Sequence, residues 1–165
     1  PKSKIVAVTH CSNIVGTIND IKTISNLVHD SNAYIIADGV SYAPHGFPDV
    51  KDLDVDFYAF SLYKTYGPHI ALLYGKKEIL KQLPNQNHEF LEGDIPYTLN
   101  PGGPNHEELS CLLGISEYFE NLYNHHFPKI INMNDFHEFL VHFTKHRKLI
   151  IIRFHPIFFI TRFKT

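Results

Sequence analysis

A chain of 165 residues that is 44% hydrophobic and 19% charged has the makeup of one globular domain, or a large piece of one, and not of a disordered segment. Its net charge of −2 with histidine neutral gives no broad basic field, which argues against nucleic acid as a partner. Two cysteines, Cys11 and Cys111, make neither a disulfide framework nor a zinc spacing, so a reducing, cytoplasmic setting is expected.

The chain starts at Pro1 and its first residues already read as the approach to a strand, so a start inside a larger protein is expected. The β-branched run "KIVAVTH", residues 4–10, reads as a buried strand. After the loop "CSNIVGTIN", Asn19 or Asp20 can cap a helix on which Ile21, Ile24 and Val28 share one face. Residues 33–37, "AYIIA", form the next strand and stop at Asp38, and a loop rich in glycine and proline follows over 39–48. Residues 56–61 and 70–75 are further strands, and 76–83 a short helix.

An irregular excursion covers 83–105, and a helix capped by Asn105 spans about 106–123, with Leu109, Leu112, Leu113 and Ser116 at near-helical spacing. Another helix is expected from 134 to about 146. Strands alternating with helices describe an α/β protein around a mixed or mostly parallel sheet. The apolar end, residues 149–163, is interrupted by Arg153, His155 and Pro156 and is short of the ~20 residues a membrane helix needs. No membrane partner is expected.

Polar groups gather where strands end. His10 and Asn13 follow the first strand, Asp38 ends the second, and Ser61 and Lys64 follow the third. In open α/β sheets ligands sit outside the carboxyl ends of strands, so these residues can share one crevice. A lysine of ordinary pKa is a poor nucleophile at neutral pH, and burial frees its amine to form a Schiff base. A carboxylate against a pyridinium nitrogen makes that ring an electron sink, so lysine with aspartate suits pyridoxal phosphate. Ser61 can donate to the cofactor's phosphate. The residues alone leave other readings open, among them a surface lysine at a sheet edge.

The stretches "THCSNIVGTINDI", "ADGVSYAPHGFPDV", "DFYAFSLYKTYGPHIALLYG" and "PGGPNHEELSCLLGISEYF" carry a resemblance. In this order and spacing they resemble consecutive motifs of class V aminotransferases, closest to the cysteine desulfurase-like branch, over residues 5–123. The resemblance implies part of the large domain of an aspartate-aminotransferase-type enzyme that uses pyridoxal 5'-phosphate on an amino-acid substrate and forms a homodimer. Lys64 matches the Schiff-base lysine and Asp38 the carboxylate paired with the pyridine nitrogen. Ser61 matches a phosphate ligand, and Asn13 an asparagine near the ring hydroxyl and substrate carboxylate. His10 lies in the Asn13 motif, and His45 matches a histidine of more structural role. Residues 1–123 are then a portion of the cofactor-binding domain, and 124–165 a helical, divergent tail, truncated or frame-disrupted.

The departures are equally specific. Ser41 stands where desulfurases typically have a glutamine near the phenolate oxygen. Tyr63 replaces the histidine before the lysine, and its hydroxyl can serve the phosphate instead. Gly103 replaces a threonine that in the family reaches the neighbouring subunit's cofactor. The family's ring-stacking histidine, substrate arginine and sulfur-carrying cysteine have no match in these residues, and neither Cys11 nor Cys111 matches the last. A catalytically inactive remnant is therefore the alternative to an enzyme. Twelve histidines invite a metal reading, but "HEFLVH" breaks the H-E-x-x-H spacing, and no metal is expected. No G-x-G-x-x-G follows a strand, which argues against a dinucleotide module.

Overall fold

In the computed structural model, which describes residues 3–45 and 48–126, the N-terminal β-branched run forms β1 (Ile5–Thr9). Helix α1 (Ile21–Asp30) follows, and of the two expected caps Asp20 takes the role. One Asp20 oxygen accepts the Thr23 amide at 3.1 Å and the other its hydroxyl at 2.7 Å. Such a cap contributes about 1 kcal/mol by satisfying an amide that has no partner within the helix. Strands β2 (Tyr34–Asp38), β3 (Phe57–Ser61) and β4 (Ala71–Gly75) come next, then α2 (Lys77–Leu80) and α3 (His106–His126). The helix expected from residue 134 lies outside the described residues.

The four strands lie in the order β1-β2-β3-β4. The first two pairings are parallel and the third antiparallel, so the chain is α/β with a mixed, mostly parallel sheet. Thr9 stands opposite Asp38, and Asp38 opposite Ala59. This register brings the carboxyl ends of β1, β2 and β3 to one edge. Alternate residues face the helix side, where Ile35, Ala37, Tyr58 and Phe60 are buried with Ile21 and Val28 of α1. Burying each of the larger apolar side chains contributes roughly 1.5–3 kcal/mol, enough to fix which face turns inward. Ile5, Tyr34 and Leu73 remain exposed on the opposite face.

Two elements differ in detail from expectation. Helix α2 is one turn, Lys77–Leu80, instead of running to residue 83, and no side chain caps its start. The inward face of α3 is Leu112, Ile115 and Phe119, whereas Leu109 and Leu113 are exposed. Asn105 does hold the start of α3, accepting the Glu108 amide at 3.0 Å.

The amino-terminal edge of the sheet is closed by charge. Asp56, buried just before β3, accepts the Ile35 amide at 2.9 Å and lies 3.0 Å from His29 Nε2 and 2.9 Å from Lys76 Nζ. Asp54 completes the group, 2.7 Å from Lys76 Nζ and 3.3 Å from His29 Nδ1. Burial pushes the Asp56 carboxyl up, but the Ile35 amide, Lys76 and His29 outweigh it and leave it below the ordinary carboxylate value. Among the described residues, no helix is long and apolar enough to cross a membrane.

Candidate active site

The lysine sits where β3 stops. Ser61 ends the strand, and Leu62–Thr65 form one 3-10 turn whose two ends, Leu62 and Thr65, are fully buried. The Thr65 hydroxyl donates to the Leu62 carbonyl at 3.0 Å, and the Gly67 amide donates to the same oxygen at 2.8 Å. Gly67 is needed for this turn to close. A Cβ there would lie 2.9 Å from the Leu62 Cβ, the Leu62 carbonyl oxygen and Ile115 Cδ1. With its flanks anchored, the turn presents Lys64 half-buried between them. Among the described residues its amine has no hydrogen bond or ion pair, and its nearest aromatic contact is the Tyr63 ring at 6.0 Å.

Lys64 opens onto a cleft of about 660 Å³, a volume typical of sites for small molecules. The opposite wall is the loop after β1, which folds back so that Cys11 bridges Ile18 and the Ser12 amide donates to the Thr17 carbonyl at 2.9 Å. The Ser12 hydroxyl accepts the Ile14 and Val15 amides at 3.3 Å, which fixes the turn that carries Asn13. Ser41 and His45 complete the polar lining from the loop after β2. The structure therefore brings Lys64, Asn13 and Ser41, three of the sequence-predicted residues, to one cleft, together with His45.

The other candidates lie around that cleft without lining it. Asp38 is exposed at the end of β2, and one carboxylate oxygen accepts the Val40 amide at 2.9 Å. It has no cationic partner among the described residues. Ser61 is half-buried beside the lysine turn. Tyr63 is 48% exposed and stacks on His69, with centroids 5.0 Å apart. His10 is buried, its ring flat against Tyr42 at 3.6 Å and its Nδ1 2.8 Å from Tyr58 Oη. Burial lowers the His10 pKa to about 4, so the ring is neutral at physiological pH.

Sequence reasoning does not single out Tyr42 and Tyr58. They read as two aromatic residues in apolar or loop stretches, and only the parallel register of β1 to β3 brings them to His10. No local spacing signals a contact between residues 48 positions apart. Among the described residues, no three or more of histidine, cysteine, aspartate and glutamate gather as metal ligands.

The family model for aminotransferase class V matches residues 1–92. The chain is 48% identical over 120 residues to the aminotransferase-like protein FGM3 of Gibberella zeae, covering 72% of this chain and 30% of that protein. It is 41% identical over 115 residues to the cysteine desulfurase-like protein ustD of Aspergillus flavus, covering 67% of this chain and 26% of the relative. The solved structure of the cysteine desulfurase CsdA from Escherichia coli superposes with a TM-score of 0.58 at 29% identity, over 78% of this chain and 39% of that one. The chain thus spans about a third of the length of these relatives.

Proposed function

Because this chain belongs to the class V aminotransferase family, in its cysteine desulfurase-like branch, we propose that it binds pyridoxal 5'-phosphate through Lys64 and serves a reaction on an amino acid. The observation that carries the reading is the half-buried Lys64 amine, free of any protein anion among the described residues, facing Asn13 and Ser41 across an open cleft. The residues fit the cofactor by chemistry. There is an amine to condense with an aldehyde, a carboxylate at the neighbouring strand end, and hydroxyl donors close to the lysine turn.

The bound cofactor would supply an electron-withdrawing ring. Lys64 Nζ would hold it, and as a free amine Nζ would accept and return a proton at the α-carbon of an amino-acid substrate. Asp38 would hold a proton at the ring nitrogen, and the Val40 amide occupies only one of its oxygens. Ser61 and Tyr63 would donate to the phosphate. Asn13 and Ser41 would orient the ring hydroxyl and the substrate carboxylate from the facing wall. His10 would support the loop that carries Asn13. A homodimer in the cytoplasm is part of the same reading.

Absorbance titration of the purified 165-residue chain with pyridoxal phosphate tests this. A visible band that the chain forms and that Lys64→Ala abolishes is the expected result. No lysine-dependent band would make the chain a non-catalytic remnant that keeps the motif without its chemistry.

A further inference from the structure

His10 ties three strands together. Its backbone amide donates to the Asp38 carbonyl at 2.7 Å, its ring stacks on Tyr42, and its Nδ1 meets Tyr58 Oη. Tyr58 in turn lies so close to the backbone after Asp38 that a Cβ at Gly39 would fall 2.0 Å from its Cε1 and 2.2 Å from its hydroxyl oxygen. One histidine and one tyrosine thereby lock the end of β1, the Asp38–Gly39 turn and the middle of β3 into a single unit.

We propose that His10 is a positioning residue for Asp38: clamped between Tyr42 and Tyr58, it fixes the Asp38–Gly39 turn and so holds the carboxylate in place for a pyridinium nitrogen. The inference rests on the reading of Asp38 given above. The groups around the pair are Asp38 from β2, Tyr42 from the turn after it, Tyr58 from β3 and Cys11 next along the chain. None of these is a cation. Burial, with smaller contributions from Tyr42, Asp38 and Cys11, pushes the Tyr58 phenol far above its ordinary value, so its proton stays on. That phenol shares a hydrogen bond with His10 Nδ1 at 2.8 Å. Burial holds the ring neutral down to about pH 4.

Two measurements on the 165-residue chain decide the matter. Nitrogen NMR of the histidine rings against pH, with His10 assigned by its loss in His10→Gln, reads its protonation without any cofactor. The wild-type ring should stay neutral to about pH 4, as its burial between Tyr42 and Tyr58 requires, and a midpoint near the ordinary ~6.5 would overturn the clamp. Binding of pyridoxal phosphate at neutral pH is then compared with and without the Asp38 carboxylate. His10→Gln should weaken binding about tenfold when Asp38 is present and less than about twofold in an Asp38→Asn background, because its effect runs through that carboxylate. Should His10→Gln fail to fold, Tyr42→Leu, which strips the stacked ring away, carries the same expectation. A loss of equal size in both backgrounds would mean packing alone and would overturn the proposal. A wild-type chain that binds no pyridoxal phosphate at any pH would refute the reading of Asp38 and the purpose given to His10. The ring titration would then still show separately whether burial in the clamp holds the imidazole neutral.

Discussion

Replacing Gly39 by alanine should unseat the tyrosine under the site. The added methyl would lie 2.0 Å from Tyr58 Cε1 and 2.2 Å from Cζ and from the hydroxyl oxygen, where carbon atoms need roughly 3.5 Å. Tyr58 is fully buried and cannot swing into solvent, so ring or backbone must shift by more than an ångström. Overpacking of this kind costs about 1–3 kcal/mol, and the lost hydrogen bond to His10 adds about 1 kcal/mol. Urea denaturation of Gly39→Ala should therefore show a loss of about 3 kcal/mol. In a Tyr58→Leu background, which removes the clashing atoms, the same substitution should cost at least ~1 kcal/mol less, a coupling in the range found for residues in contact. Gly114, exposed on α3 with nothing within 4 Å of where an added methyl would sit, is the control, and its alanine variant should gain about 0.5–1 kcal/mol from helix propensity. A Gly39→Ala loss under ~0.5 kcal/mol, or one unchanged by Tyr58→Leu, would refute the close approach.

Other outcomes follow from the same geometry. Asp56→Asn should cost about 3 kcal/mol in urea melts, because it leaves Lys76 and His29 with a neutral partner at a buried position. The Asp56 carboxyl titrates below its ordinary value in the folded chain. Its stabilisation is thus complete above about pH 4 and is lost as the pH falls through the lower folded value, an acid limb that Asp56→Asn should flatten. His10, lowered to about 4, binds protons more readily when unfolded, so stability should be full above about pH 6.5 and fall between there and about pH 4. His10→Gln should remove that slope in melts followed across the range. Ser61→Ala should weaken pyridoxal phosphate binding by about tenfold, measured by absorbance titration, if its hydroxyl donates to a phosphate.

Much of this is legible in the sequence because it is local. Asp20 announces α1 by its place before the periodic run, and the short strands announce themselves by β-branched and aromatic content. The lysine turn is marked by an apolar strand ending in "YKTYGP", and the glycine in it proves to be required by the approach of Leu62 and Ile115. What the chain does not display is contact between distant segments. His10 reads equally as a ligand or as a satisfied strand-end histidine, and only the structure shows it buried against Tyr42 and Tyr58 and outside the cleft lining. The His29, Asp54, Asp56 and Lys76 group is invisible for the same reason, since Lys76 reaches it only through the antiparallel pairing of β3 and β4 and His29 reaches it from α1, distant in sequence. On α3, leucine spacing suggests one inward face, but Ile115 and Phe119 occupy it because they are the residues turned toward the rest of the chain.

Lys64 as the amine that holds the cofactor is the central claim. The most direct measurement is to mix the chain with pyridoxal phosphate, reduce it with borohydride and map the modified peptide by mass spectrometry. A pyridoxyl group on Lys64, formed at low cofactor excess and absent from Lys64→Ala, is the predicted result. Label spread over exposed lysines such as Lys51 and Lys77, and unchanged in that variant, would contradict it.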